Sequence, residues 1–176
     1  TANFTDYLSK ASGGAWAHDP DKVWPIKSGE GANGTSGLVA AVKAGAGSIG
    51  YADLSQAGEL STAKIKVGSA YVAPSAEAAA KALESSPLAE GRPESSMAVD
   101  IDRATTAEGA YPLMLTSYLI ACPTYDGGKA DLVKGFLSYV ISTGGQQEAA
   151  TNAGSAPLPS SLQQKAQELI DSITTK

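Results

Sequence analysis

The hydrophobic pattern opens on a helix. Phe4, Tyr7 and Leu8 fall on one face at i, i+3 and i+4, and Thr1 stands where a cap would stand. The periodicity predicts a helix over about residues 2–11, ended by Gly13-Gly14. Residues 15–28 carry no period, and a glycine-rich loop follows at Gly29, Gly31, Gly34 and Gly37. A short helix is predicted over Ser36–Ala44, with Leu38, Val39 and Val42 inward and Gly45 and Gly47 as its stop. Residues 48–53 (SIGYAD) read as a strand and 54–60 as a helical turn. Two strands, 63–67 and 71–73, meet at a Gly68-Ser69 turn. Ser75 then caps a helix over 76–85, made of good helix formers. Residues 86–110 are rich in Pro, Gly, Ser and charge, with one predicted strand at 97–101.

The second half is more apolar. Residues 111–122 (YPLMLTSYLIAC) form a nearly continuous apolar run, the signature of a strand buried on both faces. From Asp126 or Gly127 a helix follows, with Leu132, Val133, Phe136, Leu137, Val140 and Ile141 as a wide inward stripe and Gly144-Gly145 as its end. A short helix is expected over 146–153, and Pro157-Leu158-Pro159 bends the chain. Ser160 with Gln163 has the spacing of a capping box. The last helix should bury Leu162, Ala166, Leu169, Ile170 and Ile173.

Composition narrows the function classes. A chain of 176 residues suits one sizeable domain or two small ones. Its formal net charge of −5, with Lys22, Lys27, Lys43, Lys64 and Lys66 spread apart, argues against a nucleic-acid surface. The single Cys122 rules out an internal disulfide and a cysteine-based zinc site, but leaves open pairing with a cysteine outside the chain. Too few metal-ligand residues cluster for a metal site, and no cofactor is expected. No apolar run reaches the ~18 residues of a membrane helix.

Several motifs compete for a role. Gly29-x-Gly31-x-x-Gly34, with Asp53 beyond it, matches a dinucleotide fingerprint: pyrophosphate on a helix start, ribose on the acid. That fingerprint needs a strand running into its first glycine, and Val23–Lys27 is short and broken by Pro25. His18, beside Asp19 and Asp21, reads as an exposed loop residue rather than a base. Asp100, Asp102 and Arg103 read as a solvent-facing strand edge rather than an acid/base pair. Tyr111, Tyr118, Tyr125 and Tyr139 read as packing, and Cys122 as a buried, inert thiol. The start of the first helix offers free N–H groups and a positive dipole end to an anion.

The order of features resembles a known family. NFTDYLSK (3–10), Trp24-Pro25, GANGTSGLVAAVKAGAGSIGYADL (31–54), YVAPSAEA (71–78), the 111–122 run and LVKGFLSYVISTGGQQEAATNAGSAPLPSSL (132–162) are similar, in order, to the substrate-binding proteins of bacterial phosphate ABC transporters of the actinobacterial type. The resemblance implies an α/β fold of the periplasmic-binding-protein type II architecture. Residues 1–115 would be most of the second lobe, without its anion turn and preceding strand. Residues 116–176 would be the hinge-crossing strand and C-terminal helices of the first lobe. It implies a non-enzymatic, extracytoplasmic and lipid-anchored protein that binds inorganic phosphate and passes it to an ABC permease. In that family an Arg and a Ser-Gly-Thr turn precede the residues that match 1–8, so the chain is expected to be the C-terminal portion, with the N-terminal half of the same protein as partner. Of the family's ligands only Thr1 has a candidate counterpart, as an anion contact or merely a cap. A dinucleotide-binding enzyme domain and a non-binding interaction module are the alternatives.

Overall fold

The computed structural model describes residues 1–176. Six helices carry most of the order: α1 (Ala2–Ala11), α2 (Gly34–Ala44), α3 (Ala76–Glu84), α4 (Lys129–Ile141), α5 (Thr143–Ala153) and α6 (Ser160–Asp171). A single 3-10 turn covers Leu54–Gln56. Four short strands form two separate pairs. β1 (Ile65–Val67) and β2 (Ala70–Val72) make an antiparallel hairpin, while β3 (Thr124–Tyr125) and β4 (Thr174–Thr175) lie parallel. The mixture is α/β, and the hairpin turns where Gly68, at φ +58°, was expected to turn it.

Local chemistry explains the helices that match expectation. Ser75 accepts the Ala78 amide at 3.1 Å and starts α3, which buries Ala78, Ala82 and Leu83. In α2, Leu38 and Val42 pack over Gly50, where an added Cβ would meet Leu38 Cδ2 at 2.8 Å. The best-packed cluster joins Ala130, Leu137 and Ile141 of α4 with Ile170 and Ile173, and Tyr125, Val133, Leu158 and Ala166 close around it.

Several expectations are corrected. Residues 48–53 and 111–122 form no strand, and 97–101 contribute one isolated bridge, Val99 with Leu88. A strand exists only where a second strand answers its N–H and C=O groups, and no strand of the chain pairs with 111–122. From Leu115 onward that run is largely exposed rather than buried: Ile120 is 96% and Leu115 66% accessible. The α4 stripe is split, with Val133, Leu137 and Ile141 turned inward and Leu132 and Phe136 left exposed; Tyr139, expected to pack, is exposed as well. Gly144-Gly145 does not simply end α4. Ser142 closes α4 and caps α5 through the Gly145 amide, and a Cβ on Gly145 would collide with the Tyr139 carbonyl. The capping box does not form. Pro159 caps α6 without a side-chain bond, and Gln163 donates to the Ile141 carbonyl, tying α6 to α4. Cys122 is exposed.

The chain is open for its mass. It exposes 11637 Å² at 17.8 kDa, against ~8,000 Å² expected for a compact monomer of that mass. The exposed surface includes large apolar side chains on α4 and on residues 115–120.

Candidate functional site

The first turn of α1 offers unclaimed donors. The Thr1 carbonyl accepts the amides of Phe4 and Thr5 at 2.8 and 3.0 Å, so helical pairing begins there. The amides of Ala2 and Asn3 have no acceptor in the chain, as helix geometry requires of a first turn. No acidic residue lies in that turn. Thr1 does not cap with its side chain. Its Oγ1 sits 2.8 Å from the Tyr51 hydroxyl, so one of the two hydroxyls donates to the other and the remaining O–H joins two free amides at the helix start. The result is a small exposed set of donors at the positive end of a dipole, suited to an oxyanion.

Three fasteners hold this turn. Thr5, fully buried, accepts the Asp21 amide and donates to the Asp21 carbonyl, both at 3.0 Å. Phe4 stacks on Tyr51 at 4.4 Å between centroids, and Trp24 stacks on Tyr51 at 6.0 Å. The third is Arg103, only 7% exposed. Its Nε donates to Asp6 Oδ2 at 3.0 Å, Nη1 to the carbonyls of Pro112 and Met114 at 2.6 and 2.9 Å, and Nη2 to Asn3 Oδ1. This corrects the solvent-edge expectation for Arg103. Asp100 and Asp102 do face solvent, Asp102 accepting the Ala104 amide and Asp100 lying 3.7 Å from Lys10 Nζ. The arginine turns inward because its partners, nearly a hundred residues back in the chain, are carboxylate and amide oxygens.

Two phenols lie beside this clamp. Burial pushes Tyr7 above its ordinary value, and burial together with the Tyr7 charge pushes Tyr111 up. The unfolded phenols titrate near 10. Above that pH the unfolded chain releases protons that the folded chain still holds, so stability should fall as pH rises from about 10 through the folded values. Tyrosinate absorbance should show two late phenols, each removed by Tyr7→Phe or Tyr111→Phe, with a flatter alkaline loss of stability in either variant. Normal titration of all phenols in the wild type would contradict this.

Of the other candidates only Asp21 is brought to this turn, by its backbone through Thr5. Gly29 and Gly31 lie in an exposed loop and Gly34 opens α2, with no strand before them, and Asp53 is an exposed residue ahead of the 3-10 turn. The dinucleotide geometry is therefore missing its first element. His18 is exposed and edges onto Trp16 at 5.1 Å; Asp19 and Asp21 are exposed, and Asp21 Oδ1 accepts the Val23 amide. Two open grooves of about 320 and 350 Å³ run along Leu88 and Lys165, sharing no residue with the α1 start. Tyr118 is half-exposed, its hydroxyl accepting the Val99 amide, and Tyr139 is exposed. Tyr51, Asn3 and Arg103 were not singled out for the site by sequence reasoning. The one usable signal was Tyr51 closing the SIGY motif quoted above.

Comparison with known proteins gives the family. The PBP superfamily domain matches residues 1–143. The phosphate-binding protein PstS 3 of Mycobacterium leprae is 34% identical over 171 residues, covering 94% of this chain and 46% of the relative. The phosphate-binding protein PstS 2 of Mycobacterium tuberculosis is 30% identical over 177 residues, 98% of this chain and 47% of the relative. The phosphate-binding protein PstS of Xylella fastidiosa is 29% identical over 170 residues, 92% and 44% respectively. The chain thus spans about half the length of the curated relatives it matches. No solved structure matches it significantly. With a superfamily match that runs from α1 through α4 and includes the whole donor-bearing turn, the chain belongs to the PBP superfamily.

Proposed function

We propose that this chain is the C-terminal portion of an extracytoplasmic, lipid-anchored binding protein that captures inorganic phosphate between two lobes and hands it to an ABC permease. The observation that carries the reading is that relatives matched over nearly the whole chain bear the name phosphate-binding protein. The site chemistry supports it: free amides of Ala2 and Asn3, hydroxyls of Thr1 and Tyr51, and no acid in the turn. In this reading residues 1–115 supply the second lobe of a type II architecture. Residues 116–176 cross back and complete the first, with closure on the anion by hinge motion. The protein is a carrier rather than an enzyme, and its other phosphate ligands come from the half of the protein that precedes Thr1.

The test is equilibrium dialysis of the whole protein with labelled phosphate, beside a Thr1→Val variant. One stoichiometric site is expected, displaced by unlabelled phosphate and not by a dinucleotide. Thr1→Val should weaken it about tenfold to a hundredfold, the worth of one hydrogen bond to a charged ligand. No phosphate uptake, or displacement by dinucleotide, would defeat the reading. Wild-type affinity in Thr1→Val would leave Thr1 as no more than the residue that begins the helix.

A further inference from the structure

We propose that Arg103 is a positioning residue for phosphate: it fixes the first turn of α1 against residues 112–114 and so aims the free amides of that turn. The proposal rests on the function proposed above. Arg103 is not placed to hold an anion itself: it is 7% exposed, and four of its five N–H groups already donate, to Asp6, to Asn3 and to the carbonyls of Pro112 and Met114. What it does is geometric. It grips α1 at Asn3 and at Asp6, on successive turns of one face. A helix held at one point can roll about its axis; a helix held at two cannot. Asn3 joins the two tasks in one residue, because its side chain accepts from Arg103 while its backbone N–H is one of the two free donors.

The other end of the clamp is equally firm. Pro112 is fully buried, and its ring fixes its own backbone. Residues 112–114 begin the run that, in the proposed architecture, crosses between lobes. Through Arg103 the anion-facing turn and the start of the crossing chain therefore move as one body. A flat guanidinium can serve three directions at once, and a lysine ammonium at the end of a flexible stem cannot hold the same fork. Donors that are already aimed bind more tightly than donors that must be ordered by the ligand.

The experiment uses the whole protein and three variants. Arg103→Lys keeps the charge beside Asp6 and loses the fork. Asn3→Ala keeps the free amide and loses the grip on the first turn. Leu137→Ala, in the α4–α6 cluster away from this turn, serves as a destabilised control. Arg103→Lys is expected to weaken phosphate binding about tenfold, measured by calorimetry well below its melting temperature. Asn3→Ala should weaken it severalfold, and add little in the Arg103→Lys background. Leu137→Ala should lower the melting temperature while binding phosphate as the wild type does. Backbone ¹⁵N order parameters of residues 2–6 should fall in Arg103→Lys, with or without phosphate. Arg103→Lys binding within twofold of wild type would overturn the proposal and leave Arg103 a fastener of the fold. If the wild type binds no phosphate, the functional reading fails by itself. The order parameters then decide the role of Arg103: unchanged values overturn it, lowered values uphold it.

Discussion

Arg103→Ala is expected to lower the free energy of unfolding by ~3–5 kcal/mol, the range for removing one partner of a buried ion pair. The side chain is 7% exposed and its pair with Asp6 is short, 3.0 Å. Truncation strands the Asp6 carboxylate, the Asn3 amide oxygen and two carbonyls at once, with a cavity where the guanidinium lay. Asp6 retains Lys10 Nζ at 3.2 Å and is itself a quarter exposed, which places the expected loss at the lower end of the range. Urea denaturation followed by circular dichroism checks it. Asp6→Asn in the Arg103→Ala background should recover part of the loss, because it removes the stranded charge. A loss below ~1 kcal/mol, the ordinary worth of an exposed pair, would mean that water replaces the clamp freely.

The second large effect is in binding. Residues 1–176 alone are expected to hold phosphate no tighter than about millimolar, ~4 kcal/mol, and the whole protein about micromolar or tighter, ~8 kcal/mol. The contrast of about a thousandfold follows from the donor count. The α1 turn offers two amides and one free hydroxyl hydrogen on an exposed surface, and the buried Arg103 already commits four of its five N–H groups within the protein. An exposed helix terminus contributes ~0.3–1 kcal/mol through its dipole and is screened by salt. Calorimetric titration of both forms at one ionic strength decides it. A stoichiometric micromolar site on the 176 residues alone would show that the turn is sufficient and that the second half of the site was wrongly assigned elsewhere.

Which parts of this molecule could be read from residues alone follows from the range of the interactions. α1, α3 and the hairpin are written within ten residues of themselves, in the Phe4–Tyr7–Leu8 face, the Ser75 cap and the Gly68 turn, and they were legible. The strands expected at 48–53 and 111–122 were not, because apolar alternation records only the wish to be buried. The answering strand is a separate fact, absent from the segment itself. The α4 stripe was read correctly as apolar and wrongly as wholly inward, since α6 is wide enough to cover Val133, Leu137 and Ile141 but not Leu132 and Phe136. At the candidate site, the helix start at Thr1 was visible from its cap position. The partnership of Arg103 with Asn3 and Asp6 was not, because no periodicity connects residues 97 and 100 positions apart. A period-two reading of 100–103 even pointed the arginine the wrong way.

Cys122 is the one thiol of the chain, and it stands in the open at the end of the exposed 111–122 run, its backbone amide bonded to the Tyr125 hydroxyl. An accessible, solitary sulfur is a chemical address. A maleimide dye would attach there and nowhere else in these 176 residues, without any substitution. Because the dye would ride on the stretch that crosses between lobes in the proposed architecture, its colour or brightness would change as they close, turning the protein into an optical gauge of its own ligand.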